Sequence, residues 1–419
     1  MKTMRLISTG LALAAATMLT LARVAHADVV TDANARAADV ASTIPMTPVA
    51  VRAMAIVQVS VHDAVSAITG RYPPLRTKIT APPGASPEAA VAAATRTALT
   101  KLVPAQQAVI EADYRAALKL VADGRAKADG IDVGEQAALA VLASCADDGS
   151  VAPNTYRPPT TPGVYVPTVF PIVPHWGRRT PWVMTSGEQF RPGPPPSLAS
   201  DTWKRDLEEV KAIGSKNSAK RTPEQTAIAQ FWEATAPGVY WPLARAVSAG
   251  PGRNPSDNAR VLALAAMAMD DALIAVFDAK YTYNFWRPVT AIRNAQGDLR
   301  DPGWTPFIDT PMHPEYPCAH CIVSAALGAV LQAEIGAGPG PRLSSASPTA
   351  GGAIRTWNTI GDFVAEVAVA RIYDGVHYRT STEVGTAMGR KVGELTVTKI
   401  PRAEATPRTP RAGRSPAGT

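Results

Sequence analysis

The stretch Glu315-Tyr316-Pro317-Cys318-Ala319-His320-Cys321 closes a loop rich in Pro and Gly and opens an apolar run, Ile322 to Ile335, stopped by Gly336. Free backbone N–H groups and the positive end of the dipole gather at a helix start, which suits it to an anion. His320 falls in that first turn. Upstream stand Lys280 and Arg287, with no acid between them; downstream stand Arg371 and His377. Three fixed cations and two histidines around a helix start describe a site for a tetrahedral oxyanion. Lys280 and Arg287 are seven residues apart, close to two helical turns, so they share a face if the helix persists until Pro288 stops it. Asp374-Gly375 is a turn signal that would return His377 to the side of Arg371. His62, His175 and His313 read as structural or surface residues.

In order, the chain carries Lys280-x(6)-Arg287-Pro288, Pro317-x-x-His320 and Arg371-x(5)-His377. This joint pattern resembles the superfamily of type 2 phosphatidic-acid phosphatases and vanadium-dependent haloperoxidases. The superfamily pattern is Lys-x(6)-Arg-Pro, Pro-Ser-Gly-His and Ser-Arg-x(5)-His-x(3)-Asp. Phe285 to Arg293 and Val61-His62-Asp63-Ala64-Val65 look like its soluble bacterial haloperoxidase-like branch. The resemblance implies two packed helical bundles. It implies that Lys280, Arg287 and Arg371, with Cys318 and Ala319, bind the oxygens of vanadate or phosphate. His377 would be the axial ligand to vanadium, or the nucleophile that forms a phosphohistidine. His320 would be the acid–base group. Substrates would be a halide and peroxide, or a phosphate monoester. Either chemistry rests on charge neutralisation and in-line placement, and Arg suits it by its planar fork and fixed charge. This chain has Cys318, Ala319 and Ser381 where the pattern has Ser, Gly and Asp, and Ala370 precedes Arg371. Asp374 and Glu383 are the candidates to replace the missing carboxylate beside His377.

The elements that must position these residues read as helices. Ser/Thr-Pro pairs mark starts at Thr47-Pro48, Ser86-Pro87 and Thr222-Pro223. Ala105 to Ala122, Gly134 to Cys145 and Ile354 to Ala370 have helical spacing, and Gly70, Gly124 and Gly149 read as stops. No run alternates convincingly, so the fold class is all-α, with short strands admitted only in Pro-rich parts. The expected organisation is a leader over 1–27, a helical bundle over 28–150, a Pro-rich wrapping segment over 151–199, a catalytic bundle over 200–400 and a disordered basic tail over 401–419. The wrapping segment is long for a loop, so it covers a surface or lines a site.

Residues 1–27 have the charged start, apolar run and Ala25-His26-Ala27 ending of a secretory signal. The expected location is therefore outside the cytoplasm. The formal net charge of +7 concentrates in the leader and the tail, so the body is near neutral and nothing points to nucleic acid. The best later apolar stretch, Val261 to Phe277, is broken by Asp270 and Asp271 and suggests no membrane span. Oligomeric state is left open. Three cysteines are few for an exported disulfide framework, but Cys318 and Cys321 have the spacing to close a bridge. Two competing readings use the same residues: an oxyanion-binding protein that has lost turnover, and a thiol–disulfide oxidoreductase. The second lacks a surrounding βαβ pattern.

Overall fold

A computed structural model describes residues 28–400, apart from 168 and 236. The leader and tail lie outside the described residues. Among those described, thirteen α-helices and one two-stranded sheet form.

The first group is α1 (Val29–Ala41), α2 (Thr47–Thr69), α3 (Pro87–Leu102), α4 (Gln107–Leu118) and α5 (Arg125–Ser144). The second is α6 (Asp201–Ile213), α7 (Pro223–Glu233), α8 (Trp241–Ser248), α9 (Pro255–Tyr283), α10 (Pro288–Asn294), α11 (Ala319–Ile335), α12 (Ile360–Tyr373) and α13 (Arg379–Lys399). The start signals act by known chemistry. Ser86 caps α3 through Ala89 N–H, and Thr222 and Gln225 close a reciprocal capping box on α7. α2 ends on Gly70 in the left-handed conformation. α9 is buried on nearly every side, packing on α2 in one direction and on α11 in the other. One buried apolar cluster runs continuously from α1 through α9 to α13. α2 is long and apolar enough to cross a bilayer by composition, a feature the sequence reading passed over; it is buried within this core.

Three local expectations are overturned. Gly124 precedes α5 rather than ending a helix, and α5 begins at Arg125. Gly130 and Gly134 sit inside it because α3 passes too close for a side chain: a Cβ on Gly134 would lie 2.3 Å from the Ala90 carbonyl oxygen. Ile354 belongs to a strand, not a helix. β1 (Leu343–Ser347) and β2 (Ala353–Trp357) form an antiparallel hairpin in which Ser345 faces Arg355. Gly351 and Gly352 turn it with positive φ. Its serine-rich first strand alternates in burial without alternating in hydropathy, which hides it from pattern reading. Finally, α9 stops at Tyr283, where Asn284 turns left-handed at φ 50°. Lys280 and Arg287 therefore share no helical face.

The wrapping segment both covers α9 and lines a cavity. Two aspartates in the middle of α9 hold it. Asp271 accepts the backbone N–H groups of Trp182, Val183 and Met184 at 2.7–3.0 Å. Asp270 pairs with buried Arg179, whose other arm reaches Asp148 in the first group. Farther along, the Tyr165 N–H donates to the Asn284 carbonyl at 2.6 Å, and the Trp286 N–H to the Gly163 carbonyl at 3.0 Å. These bonds pin the extended chain after α9 and thereby aim Arg287.

α11 and α13 pack closer than side chains allow. Gly385, Gly389 and Gly393 press one face of α13 against the carbonyls of Cys318, Ile322 and Ala326. A Cβ on Gly389 would lie 2.1 Å from the Ile322 oxygen. Gly389→Ala must separate the two helices. We expect a loss of about 1–3 kcal/mol, the usual range for overpacking, measured as a fall in the urea midpoint. An unchanged midpoint would show that the contact yields freely.

Candidate oxyanion site

Lys280 lies in the last turn of α9, fully buried, and donates from Nζ to the carbonyls of Pro314 and Glu315 at 2.9 and 2.7 Å. Arg287 begins α10. Its Nε donates to the His313 carbonyl, Nη1 to the Val376 carbonyl and to His377 Nε2, and Nη2 to His313 Nδ1. Neither cation touches a carboxylate through these bonds. Burial, with Arg287 and Arg371 nearby, holds the Lys280 ammonium well below its ordinary value; burial, with Arg371 nearby, brings Arg287 down to about 10. Arg371, near the end of α12, donates from Nη1 to Asp374 at 2.6 Å and to the Trp232 carbonyl at 2.9 Å. Its Nε is buried without a partner among the described residues. Burial pushes the Asp374 carboxyl up to about 7, against the pull of Arg371.

The expected turn forms at Gly375, φ 77°, and the His377 N–H returns to the Arg371 carbonyl at 3.3 Å. A guanidinium can only donate, so its contact with His377 Nε2 at 3.3 Å leaves that nitrogen with its lone pair. The proton sits on Nδ1, which donates to Glu315 Oε1 at 2.7 Å. Burial, reinforced by Arg287 and Lys280, keeps this imidazole neutral, with its pKa well below the usual histidine range. Glu315 is therefore the carboxylate behind His377. It also accepts the Tyr378 N–H, and burial raises its carboxyl to about 7 despite Lys280 and Arg287. Neither proposed substitute takes this place: Asp374 is spent on Arg371, and Glu383 is on α13 outside these bonds. Ser381 occupies the expected Asp position and touches both partners, lying 3.4 Å from His377 Nδ1. The small hydroxyl leaves room for the Glu315 carboxylate.

His320 lies in the first turn of α11. Its ring hydrogen-bonds the Ala234 backbone just beyond α7, and its Nε2 has no partner among the described residues. Burial and the Arg371 charge keep it neutral as well. His320, Ala319, Arg371 and His377 line one cavity of about 900 Å³. Lys280 and Arg287 do not line it; Arg287 contacts His377 Nε2, and Lys280 donates to the Glu315 carbonyl. Cys318 departs from its expected role. It is fully buried and bonded to Cys321, and its sulfur accepts the Cys321 N–H. With no thiol hydrogen it donates nothing; it caps and staples the helix that carries His320. Two neighbours were missed. His313, read as structural, lines the cavity, and its Nδ1 lies 2.9 Å from Arg287 Nη2 and 3.1 Å from the Pro314 carbonyl oxygen. Glu315 stood inside the motif stretch, but no spacing rule ties it to a histidine on the far side of α12.

Comparison with known proteins agrees with this geometry. Residues 260–403 match the family model of the VCPO second helical-bundle domain. The vanadium chloroperoxidase of Curvularia inaequalis is 30% identical over 188 residues. That match covers 37% of this chain and 31% of the relative, so the chain spans about a third of that relative's length. The first bacterial vanadium-dependent iodoperoxidase superposes with a TM-score of 0.77 at 27% identity, covering 89% of this chain and 96% of that one. A holo-type bacterial vanadium-dependent chloroperoxidase, 17% identical, shares the fold with a TM-score of 0.72 over 84% of this chain and 92% of its own. These matches support the vanadium haloperoxidase and type 2 phosphatidic-acid phosphatase superfamily. Against that superfamily's pattern, the carboxylate beside His377 comes from Glu315 rather than from the position four residues after it.

Glu315→Ala should lower oxyanion affinity by roughly 10–100-fold, the scale seen when the partner of a ligating histidine is removed. Ser381→Asp alone should weaken binding by placing a second carboxylate beside Glu315. The double variant should recover most of the loss. Titrating vanadate and phosphate calorimetrically into all four proteins tests this; no recovery would place the carboxylate's role elsewhere.

Proposed function

We propose that this chain is an exported, vanadate-dependent haloperoxidase that oxidises a halide with hydrogen peroxide. The observation that carries the reading is the pair Lys280 and Arg287: fully buried, free of direct carboxylate partners, and set behind a cavity into which Arg371, His320 and His377 project. Burying such charges is costly unless an anion meets them. The orphaned Arg371 Nε and His320 Nε2 fit the same conclusion. Vanadate is the group these residues suit. When bound, it activates hydrogen peroxide for the two-electron oxidation of a halide.

The chain's own residues then divide the work. Lys280, Arg287 and Arg371 hold the anionic oxygens, and the α11 N-terminus adds its dipole. His377 offers the Nε2 lone pair, with Glu315 fixing the tautomer from behind. His320, neutral and open at Nε2, takes up and returns a proton. Iodide is the first halide to test, because the 27%-identical structural relative is an iodoperoxidase. The Cys318–Cys321 bridge supports a location outside the reducing cytoplasm. The neutral Nε2 of His377 equally suits a phosphohistidine, so a metal-independent acid phosphatase is the second reading.

Vanadate should raise the melting temperature saturably and support iodide or bromide oxidation by peroxide. His377→Ala should abolish turnover. His320→Ala should cost about 10²–10⁴-fold while leaving vanadate affinity largely intact. Peroxidase assays with and without vanadate, beside phosphate-ester hydrolysis, separate the readings. Full activity in the His377 variant would end both.

A further inference from the structure

The first turn of α11 carries more constraint than a helix start needs. The leading N–H groups of a helix find no partner inside it. Here the two outer ones are taken. The Cys318 N–H donates to the Ser381 carbonyl at 3.2 Å, and the Cys321 N–H to Cys318 Sγ at 3.1 Å. The two between them, on Ala319 and His320, have no partner among the described residues, and both residues line the cavity. The unpartnered Arg371 Nε and His320 Nε2 belong to the same lining. The Cys318–Cys321 bridge closes a covalent ring around this pair of N–H groups. Both cysteines are 0% exposed. Behind them stands Gly385 of α13, where a Cβ would lie 2.6 Å from the Cys318 carbonyl oxygen and 3.2 Å from Cys321 Cβ. Thiol–disulfide exchange needs access to a sulfur, and these sulfurs offer none, which sets aside the oxidoreductase reading. Opening the bridge would put two thiols into this space. Nonbonded heavy atoms need about 3.5–4.0 Å between them, and the close approach of α13 leaves no slack. The turn must then shift, and an unstapled helix end frays.

We propose that this bridge is the redox switch that completes the oxyanion site. Closed, it holds the Ala319 and His320 N–H groups on the anion, in place of a side-chain hydroxyl at position 318. Open, it lets them leave. The inference rests on the oxyanion reading of the site and not on turnover. Closure joins two thiols into one S–S bond. They give up two electrons and two protons to a disulfide oxidant, which leaves as its dithiol. Because the sulfurs are buried, the switch is set at folding. The chain therefore binds an oxyanion tightly only when it folds where disulfides form, and holds a loose site in a reducing compartment.

Inorganic phosphate is the probe, because dithiothreitol leaves it unchanged and it needs neither vanadate nor peroxide. Protein reduced with dithiothreitol in urea, then refolded without oxygen and freed of both, is compared with oxidised protein. Calorimetric titration is run well below the melting temperature, and the mass after alkylation fixes the thiol count of each sample. The oxidised protein should bind phosphate about tenfold more tightly, the worth of one charge-assisted hydrogen bond, and reoxidation should restore that affinity. Cys321→Ala removes the bridge without crowding Gly385; it should bind as weakly as the reduced protein and ignore the reductant. A purely structural staple would lower the melting temperature and leave phosphate affinity unchanged. That result, or wild-type affinity in Cys321→Ala, overturns the proposal. His320→Ala keeps the peptide N–H and should keep the tenfold redox difference; if the difference vanishes, the assignment to the backbone is wrong. Redox-dependent phosphate binding without oxidation of any halide upholds the switch and counts against the haloperoxidase reading. No phosphate binding by the oxidised protein ends the oxyanion reading and the switch with it.

Discussion

Lys280 and Arg287 sit in the interior with their charges met chiefly by backbone carbonyls and the His377 Nε2 lone pair. Everything near them is organised to make that tolerable. The Pro314 and Glu315 carbonyls converge on one ammonium, and the His313 and Val376 carbonyls on one guanidinium. Two carboxyls close by, Glu315 and Asp374, are each committed to another partner and are themselves held high by burial. Such an arrangement is expensive without an anion and well suited to one. Of the site's side-chain nitrogens, Arg371 Nε and His320 Nε2 are left without a partner among the described residues, and they are set in place by the same packing.

That packing depends on backbone held at close range. The glycine face of α13 brings α11 near enough for the His320 turn and the His377 loop to face a common space. The Cys318–Cys321 bridge closes the first turn of α11. On the opposite side, Asp271 gathers three N–H groups of the wrapping segment, and Asp63 does the same for Leu75, Arg76 and Thr77. Irregular chain is thus fastened to core helices by buried carboxylates. Residues that interrupt apolar helices, as Asp63, Asp270 and Asp271 do, are the fasteners.

The sequence made the helical class, the three-part motif and most helix starts legible, because caps and turns act over a few residues. Thr222, Ser86 and Gly375 are read correctly for that reason. What stayed hidden depends on distance. The shared face of Lys280 and Arg287 failed because Asn284 turns the chain and a strand-like contact from Val164 to Phe285 redirects it. The β1–β2 hairpin escaped because serine can be buried when it finds carbonyls, as Ser345 and Ser347 do at Val239 and Phe231. His313 looked incidental because nothing local reveals that Arg287 would reach it.

Glu315 has a wider meaning. The imidazole of His377 needs a negative neighbour at one point in space, and it is indifferent to which segment delivers it. Here delivery has passed from the helix after the histidine to the loop before the other one. A search that demands an acid four positions beyond His377 would discard this chain as degenerate, although the dyad is intact. The same relocation ties the two histidines together, since a single seven-residue stretch now carries one of them and buttresses the other. A change in that stretch would strike both ends of the site at once, whereas position 381 supplies no carboxylate here.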